Sequence, residues 1–215
     1  MSAPRSRLTR FQVEVLEAFF RREGRFYLTG GGALAGYHLG HRETHDLDLF
    51  TLTPAIEDGV RALRETATEV GASYQEVRTA PEFRRALLSR GDQSVIVDLV
   101  LERSEQVRPD KPAHGVVRVD PAEEILANKL CTLLGRSEIR DLVDVRALEG
   151  LGLSLTEALA AGQRKDGGLT PAQLAWVLSQ ITIGEEASLP GGVAPVDLRD
   201  YLRGLIDRLA RLAHP

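Results

Sequence analysis

The sequence predicts an α+β fold: a small mixed β-sheet core with flanking helices over residues 1–119, followed by a helical C-terminal domain over residues 120–215. Two observations carry that prediction. The first half mixes short β-branched or aromatic runs with helical periodicity, and its strongest run, Ser94-Val-Ile-Val-Asp-Leu-Val-Leu101, is nearly uncharged and reads as a central strand. From Asp120 onward the apolar residues recur only at helical spacing. A chain of 215 residues, 43% hydrophobic and 27% charged, is ordinary globular material, long enough for one mixed domain or two small ones.

Thr9 to Arg22 is predicted helical, with Thr9 and Gln12 in capping-box spacing and Val13, Leu16, Phe19 and Phe20 on one stripe. Phe26 to Thr29 reads as a strand that stops at Gly30-Gly31-Gly32, after which Ala33 to Leu39 favours a short helix. Asp46 to Phe50 is the next strand. Thr53-Pro54 is expected to open a helix running to Gly71, with Ile56, Val60, Leu63 and Val70 inward. Ser73 to Val77 and Ala86 to Ser89 are expected strands, with Arg84, Arg85 and Arg90 around the second, and Arg108 to Arg118 reads as a connector. Asp120, Pro121 and Glu123 fit N-cap, N1 and N3 of a helix with Ile125, Leu126, Leu130 and Leu133 as its stripe and Gly135 as its end. Asp141 and Asp144 lie one turn apart on the helix after it. Leu153–Ala161, Thr170–Ser179 and Val196–Leu212 are three more, with Trp176 assigned to the core.

A formal net charge of −4 gives no global basic signal for nucleic acid, so any basicity must be local. Arg5, Arg7, Arg10, Arg21, Arg22 and Arg25 bracket the first helix; they either line a groove for an RNA end or a triphosphate, or lie on a solvated helix face. The single Cys131 excludes an internal disulfide framework and reads as a small buried residue in a reducing compartment. With no apolar leader after Met1 and no apolar run of about 18 residues, a cytoplasmic location is expected.

The chemistry concentrates between Phe26 and Thr51. Three glycines let the backbone approach a ligand closely, and the helix start beside them offers free N–H groups and a favourable dipole to a bound phosphate. Asp46 and Asp48, two apart on a strand, project from one face while Leu47 and Leu49 turn to the core. Two carboxylates held side by side repel unless a cation lies between them, and the hard cation that also binds phosphates is Mg²⁺; the alternative is a solvated strand edge. Gly30, Gly32 and Ala35 formally match a dinucleotide fingerprint, but the helix has room for about two turns and the acids open the next strand where a ribose-binding acid closes it. A Walker A loop fails because no Lys-Ser/Thr follows the glycines. Asp98, inside an apolar strand, is costly unless a metal shared with Asp46 and Asp48 compensates it, or an arginine does. Lys129, one of three lysines against 24 arginines, falls on or beside the buried stripe of its helix. It either reaches toward carboxylates or a triphosphate as a point cation, or snorkels to solvent.

Gly-Gly-x-Ala-Leu from Gly30, the Gly40-His41-Arg42 loop and Thr-x-Asp-Leu-Asp-Leu-Phe from Thr44 together resemble the AbiEii/AbiGii nucleotidyltransferases, the toxin-type branch of the polymerase-β-like superfamily. About 80 residues on, Pro-x-Glu-x-Ile-Leu-x-x-Lys-Leu from Pro121, Gly135-Arg136 and Arg-Asp-Leu-x-Asp-Val from Arg140 resemble the second signature of the same family. The resemblance covers residues 26 to 148. It implies an enzyme that uses Mg²⁺ or Mn²⁺ to move NMP from an NTP to an acceptor hydroxyl, releasing pyrophosphate. It implies Asp46, Asp48 and Asp98 as metal ligands, Gly30, Gly31, Arg42 and Thr44 as nucleotide-binding residues, and Lys129 and Asp141 as functional residues of the helical domain that completes the cleft. It further implies the toxin of a toxin–antitoxin pair, with an RNA acceptor such as the tRNA 3′ end and an antitoxin as partner. Transfer to a small molecule such as an aminoglycoside, and a non-catalytic nucleotide-binding protein of the same fold, are the alternatives. Gly32 departs from the family's usual Thr or Ser, removing one expected hydroxyl contact, whereas Thr44 in place of the commoner Ser keeps a hydroxyl near the phosphates.

Overall fold

Residues 6–213 are described by the structure, a computed structural model. They fall into two compact units: Met1–Ser104 with Asp110–Pro121, and Glu105–Pro109 with Ala122–Pro215. Arg5 lies outside the described residues. No helix among them is long and apolar enough to cross a membrane.

The first unit is built on a mixed sheet of β1 (Phe26–Thr29), β2 (Asp46–Thr51), β3 (Ser73–Ala80), β4 (Phe83–Arg90) and β5 (Gln93–Leu101), in spatial order β1-β2-β5-β4-β3. β2 and β5 run parallel and every other neighbouring pair is antiparallel. The long excursion between the parallel pair holds a helix and the β3-β4 hairpin, as a parallel crossover requires. Period-2 alternation then sorts the side chains. Leu47, Leu49, Val95, Val97, Leu99, Ala86 and Leu88 are all buried, and they belong to the face covered by α1 (Arg10–Phe20) and α3 (Ile56–Glu69). Gly59 of α3 has no side chain because a Cβ there would strike the Phe26 ring and lie 3.3 Å from Leu99, so the glycine lets α3 settle onto the sheet.

α1 begins as its capping box dictates: Gln12 N–H donates to Thr9 Oγ1 at 3.2 Å and Thr9 N–H donates to Gln12 Oε1 at 2.8 Å. Its buried stripe runs through Phe11, Val15, Leu16 and Phe19, while Val13, expected inward, is half-buried. Of the arginines that bracket this helix, four are held by acids. Arg21 and Arg22 pair with Glu69, Arg25 with Glu23 and Asp58, and Arg10 with Glu14, so these arginines tie α1 and its C-terminal turn to α3 or to their own helix. α3 starts at Ile56, later than Thr53-Pro54 suggested, and its N-cap Ala55 makes no side-chain bond. β4 is longer than the apolar residues alone predicted, because Arg84, Arg85 and Arg90 lie within it and pair with Leu99, Asp98 and Gln93 of β5. The connector forms a small hairpin, β6 (Ala113–His114) with β7 (Val117–Arg118).

The second unit is helical: α4 (Ala122–Arg136), α5 (Ile139–Gly150), α6 (Leu155–Lys165), α7 (Pro171–Ser179) and α8 (Pro195–Ala213), with a 3₁₀ turn at Pro190–Gly192 and no strand among the described residues. Ile125, Leu126, Leu130 and Leu133 form the buried stripe of α4, which runs through Gly135 instead of ending there. Trp176 corrects the sequence reading: it is 63% exposed. Leu174 and Leu178, four apart, define the buried side of α7, and Trp176 sits two residues, about 200°, round the helix from Leu174. Cys131 is half-buried, its Sγ 3.6 Å from the Gly162 carbonyl.

Candidate active site

The glycines do not form a loop before a helix; they open the helix itself. α2 (Gly30–Ala33) follows β1 without a break and passes directly into a π-helical turn, Leu34–His38. Gly30 carries the change of direction, with φ +60°. A Cβ there would also collide with Asp48 Oδ2, so the first residue of the helix and the second carboxylate of β2 touch. A Cβ on Gly31 would lie 3.0 Å from Arg42 Nη2 and 3.1 Å from Thr44 Oγ1. Gly30, Gly31, Arg42, Thr44 and Asp48 are thus gathered around one turn. Gly32 points elsewhere: a Cβ there would meet Leu28 at 3.0 Å and Leu47 at 3.4 Å, in the core. A side chain there would begin between those two leucines and the Asp46 carbonyl, 3.6 Å away.

Arg42 is buried, and one of its Nη1 hydrogen bonds goes to the Glu43 carbonyl at 3.0 Å. Thr44 is held from two sides. Gln12 Nε2 donates to its carbonyl at 2.8 Å, so the capping residue of α1 also fixes the loop before β2, and its own hydroxyl donates to the Asp46 carbonyl at 3.4 Å.

Sheet register aligns the acids. Asp48 is paired with Thr29 on one side and Asp98 on the other, and Asp98 is paired in turn with Arg85, giving a row Thr29, Asp48, Asp98, Arg85 across four strands. Directly opposed residues share a face, so Asp48 and Asp98 stand abreast, with Asp46 two residues back on the same side. Arg85 is the residue that sequence reasoning missed. Its guanidinium forks onto Asp98, Nε to Oδ1 at 2.8 Å and Nη2 to Oδ2 at 2.6 Å. Those bonds, then the charges of Asp98, Asp46 and Asp48, hold its pKa above the ordinary arginine value. The signal was available: alternation within a charged strand sends Arg84 and Arg85 to opposite faces, Arg84 to Glu57 of α3 and Arg85 to the acids.

A hard divalent cation suits this donor set, because all donors are carboxylate oxygens and Mg²⁺ takes one or two carboxylates with waters and substrate phosphates completing the shell. Asp46 and Asp48 are the pair that fits. Asp98 already accepts one Arg85 hydrogen bond on each of its oxygens. No cluster of three His, Cys, Asp or Glu side chains among the described residues encloses a metal with protein ligands alone.

A second cluster lies within the helical unit. Lys129 Nζ donates to Asp141 Oδ1 at 2.6 Å and lies 2.7 Å from Asp144 Oδ2. Arg136 Nε donates to Asp141 Oδ2 at 2.9 Å. The Lys129 side chain is 8% exposed and both aspartates are 0% exposed, so Lys129 does not snorkel; it is a buried cation between two buried anions. Asp144 and Arg136, which the sequence did not single out as partners, complete that balance.

A family model described as "Nucleotidyl transferase AbiEii toxin, Type IV TA system" matches residues 15–211. No curated protein matches. Two solved Helicobacter pylori structures share the fold: JHP933, with a TM-score of 0.56 at 16% identity over 95% of this chain and 92% of that one, and a protein assigned as a nucleotidyltransferase, with a TM-score of 0.57 at 18% identity over 95% and 96%.

Proposed function

The chain belongs to the AbiEii family of nucleotidyltransferase toxins, and on that premise we propose that it transfers NMP from an NTP to the 3′ hydroxyl of an RNA, of which a tRNA end is the best candidate. The observation that carries the reading is the row of Asp48 and Asp98 with Gly30 pressed against Asp48, which sets the backbone at the start of α2 beside paired carboxylates.

In this reading Asp46 and Asp48 would hold a divalent cation, with Asp98, which Arg85 holds, as the third carboxylate of the row. Such a cation, when bound, neutralises the triphosphate and favours deprotonation of the acceptor hydroxyl. The Gly30 and Gly31 N–H groups at the start of α2 donate to the phosphate oxygens, and Arg42 and the Thr44 hydroxyl, both beside Gly31, add charge-assisted and neutral hydrogen bonds. The acceptor oxygen forms its bond to the α-phosphorus as the bond to pyrophosphate breaks. Lys129, held between Asp141 and Asp144, is a functional cation of the helical unit. Asp141 orients that lysine and is not itself the base, since Lys129 and Arg136 already share its two oxygens.

Incubation with each α-³²P NTP and total RNA tests this. Label should move to RNA in a Mg²⁺-dependent way, activity should fall steeply with salt as phosphate contacts are screened, and Asp46→Asn should transfer at least about 10²–10³-fold less. Induced expression should slow bacterial growth, the Asp46→Asn variant should not, and co-expression of a cognate antitoxin should restore growth. Label on an aminoglycoside in place of RNA would replace the RNA acceptor with a small molecule.

A further inference from the structure

A residue outside the acid row, Asp120, holds both ends of the helix that carries the glycines. Asp120 is fully buried. Thr29 Oγ1, immediately before Gly30, donates to Asp120 Oδ2 at 2.6 Å. At the far end, His38 Nε2, on the last residue of the π turn, lies 2.7 Å from the Asp120 carbonyl; a carbonyl can only accept, so this nitrogen carries the proton. Asp120 is itself pinned to β1, its N–H donating to the Leu28 carbonyl at 2.8 Å beside a parallel bridge between Leu28 and Val119.

Lys111 supplies the counter-charge. Its Nζ donates to Asp120 Oδ1 at 2.7 Å, with both side chains 1% exposed, and the ammonium lies 4.7 Å from the centre of the Tyr27 ring. Burying such a pair gains little stability over an apolar pair of the same volume, because both ions lose their water. An apolar pair, however, cannot accept from Thr29. Thr29 is the β1 residue in register with Asp48, and Gly30 touches the Asp48 carboxylate, so a small slide of the helix would change how the Gly30 and Gly31 amides face the acids.

We propose that Asp120, fixed by Lys111, is a positioning residue for nucleotide transfer: it clamps Thr29 and His38 so that the glycine amides stay aimed at the phosphates of the NTP. This rests on reading the glycine turn as the phosphate site. Thr29→Val removes the hydroxyl at nearly constant shape, and Thr29→Ser keeps it. Expected for Thr29→Val is a KM for NTP raised at least tenfold, an unchanged KM for the acceptor, and faster hydrogen exchange of the amides of residues 30–38. Thr29→Ser should behave as wild type in all three. Because Lys111→Met alone leaves a buried carboxylate unpaired, the neutral double variant Lys111→Met/Asp120→Asn serves as the second probe, and should keep exchange over residues 30–38 closer to wild type than Thr29→Val does. A folded Thr29→Val protein with wild-type KM for NTP and wild-type exchange overturns the proposal, as does equal weakening of both KM values. Absence of transfer by the wild type would count against the phosphate-site reading instead, and the exchange measurement would still decide whether Asp120 holds the helix.

Discussion

Arg85→Met tests the acid row most directly. The substitution keeps the length of the stem and removes the charge, leaving Asp98, 7% exposed, beside Asp48 in the same row and without its cation. Breaking a fully buried pair costs about 3–5 kcal/mol. The Arg85 side chain is 39% exposed, so solvent already screens part of the interaction and the estimate falls to about 2–3 kcal/mol. For a chain of this size that corresponds to a melting temperature about 5–10 °C lower. The reverse substitution should be milder. Asp98→Asn strands only the half-exposed guanidinium, which can rehydrate, and should cost about 1 kcal/mol. Melts of the apo proteins measure both, and added Mg²⁺ gives the sharper readout: it should raise the melting temperature of Arg85→Met more than that of wild type, because the cation then has no resident competitor for Asp98. An Arg85→Met protein that melts with wild type, or that gains no more from Mg²⁺ than wild type does, would refute the reasoning that Arg85 and a metal compete for one carboxylate.

Asp46→Asn and Asp48→Asn should each lower transfer about 10²–10³-fold or more while leaving apo stability unchanged or raised, since each removes one of two repelling charges; a clear loss of apo stability in melts would make them structural acids. Lys129→Met should not be a silent packing change: it leaves Asp141 and Asp144 buried together and should cost about 3–5 kcal/mol by denaturant unfolding, much of it recovered in Lys129→Met/Asp144→Asn, with activity lost in both. Between α5 and α8, burial pushes the Glu149 carboxyl up, but hydrogen bonds from Arg208 and Tyr201 outweigh it and leave the pKa below the ordinary 4.5. A depressed folded pKa means that this stability is fully present above about pH 4.5 and lost as pH falls through the folded value. Glu149→Gln should therefore flatten the acid limb of stability against pH, and an unchanged limb would remove Glu149 from the account.

Local rules in the sequence determined much of this protein. The capping box at Thr9 and Gln12, the alternation of Asp46-Leu47-Asp48-Leu49 and the apolar run of β5 each act over a few residues, so a strand pattern with two acids on one face could be read before any coordinates. Lysine scarcity was legible too. Each of the three lysines is buried against an acid, Lys111 on Asp120, Lys129 on Asp141 and Asp144, and Lys165 on Glu124, although composition could flag the residues and not their partners.

Tertiary structure decided the partnerships. Asp98 took an arginine because the β4-β5 hairpin, which turns at Gly91-Asp92, set Arg85 opposite it across the two strands. Asp120 looked like a helix cap, which is a property of its next three neighbours; its side chain also reached Thr29, 91 residues earlier, because a parallel bridge brought Val119 beside Leu28. Trp176 was misread for the same reason, since hydrophobicity says that a side chain gains from burial and only packing geometry says which side of a helix is covered. A charge or a ring carries its cost within the sequence, but the group that offsets that cost is chosen by the fold.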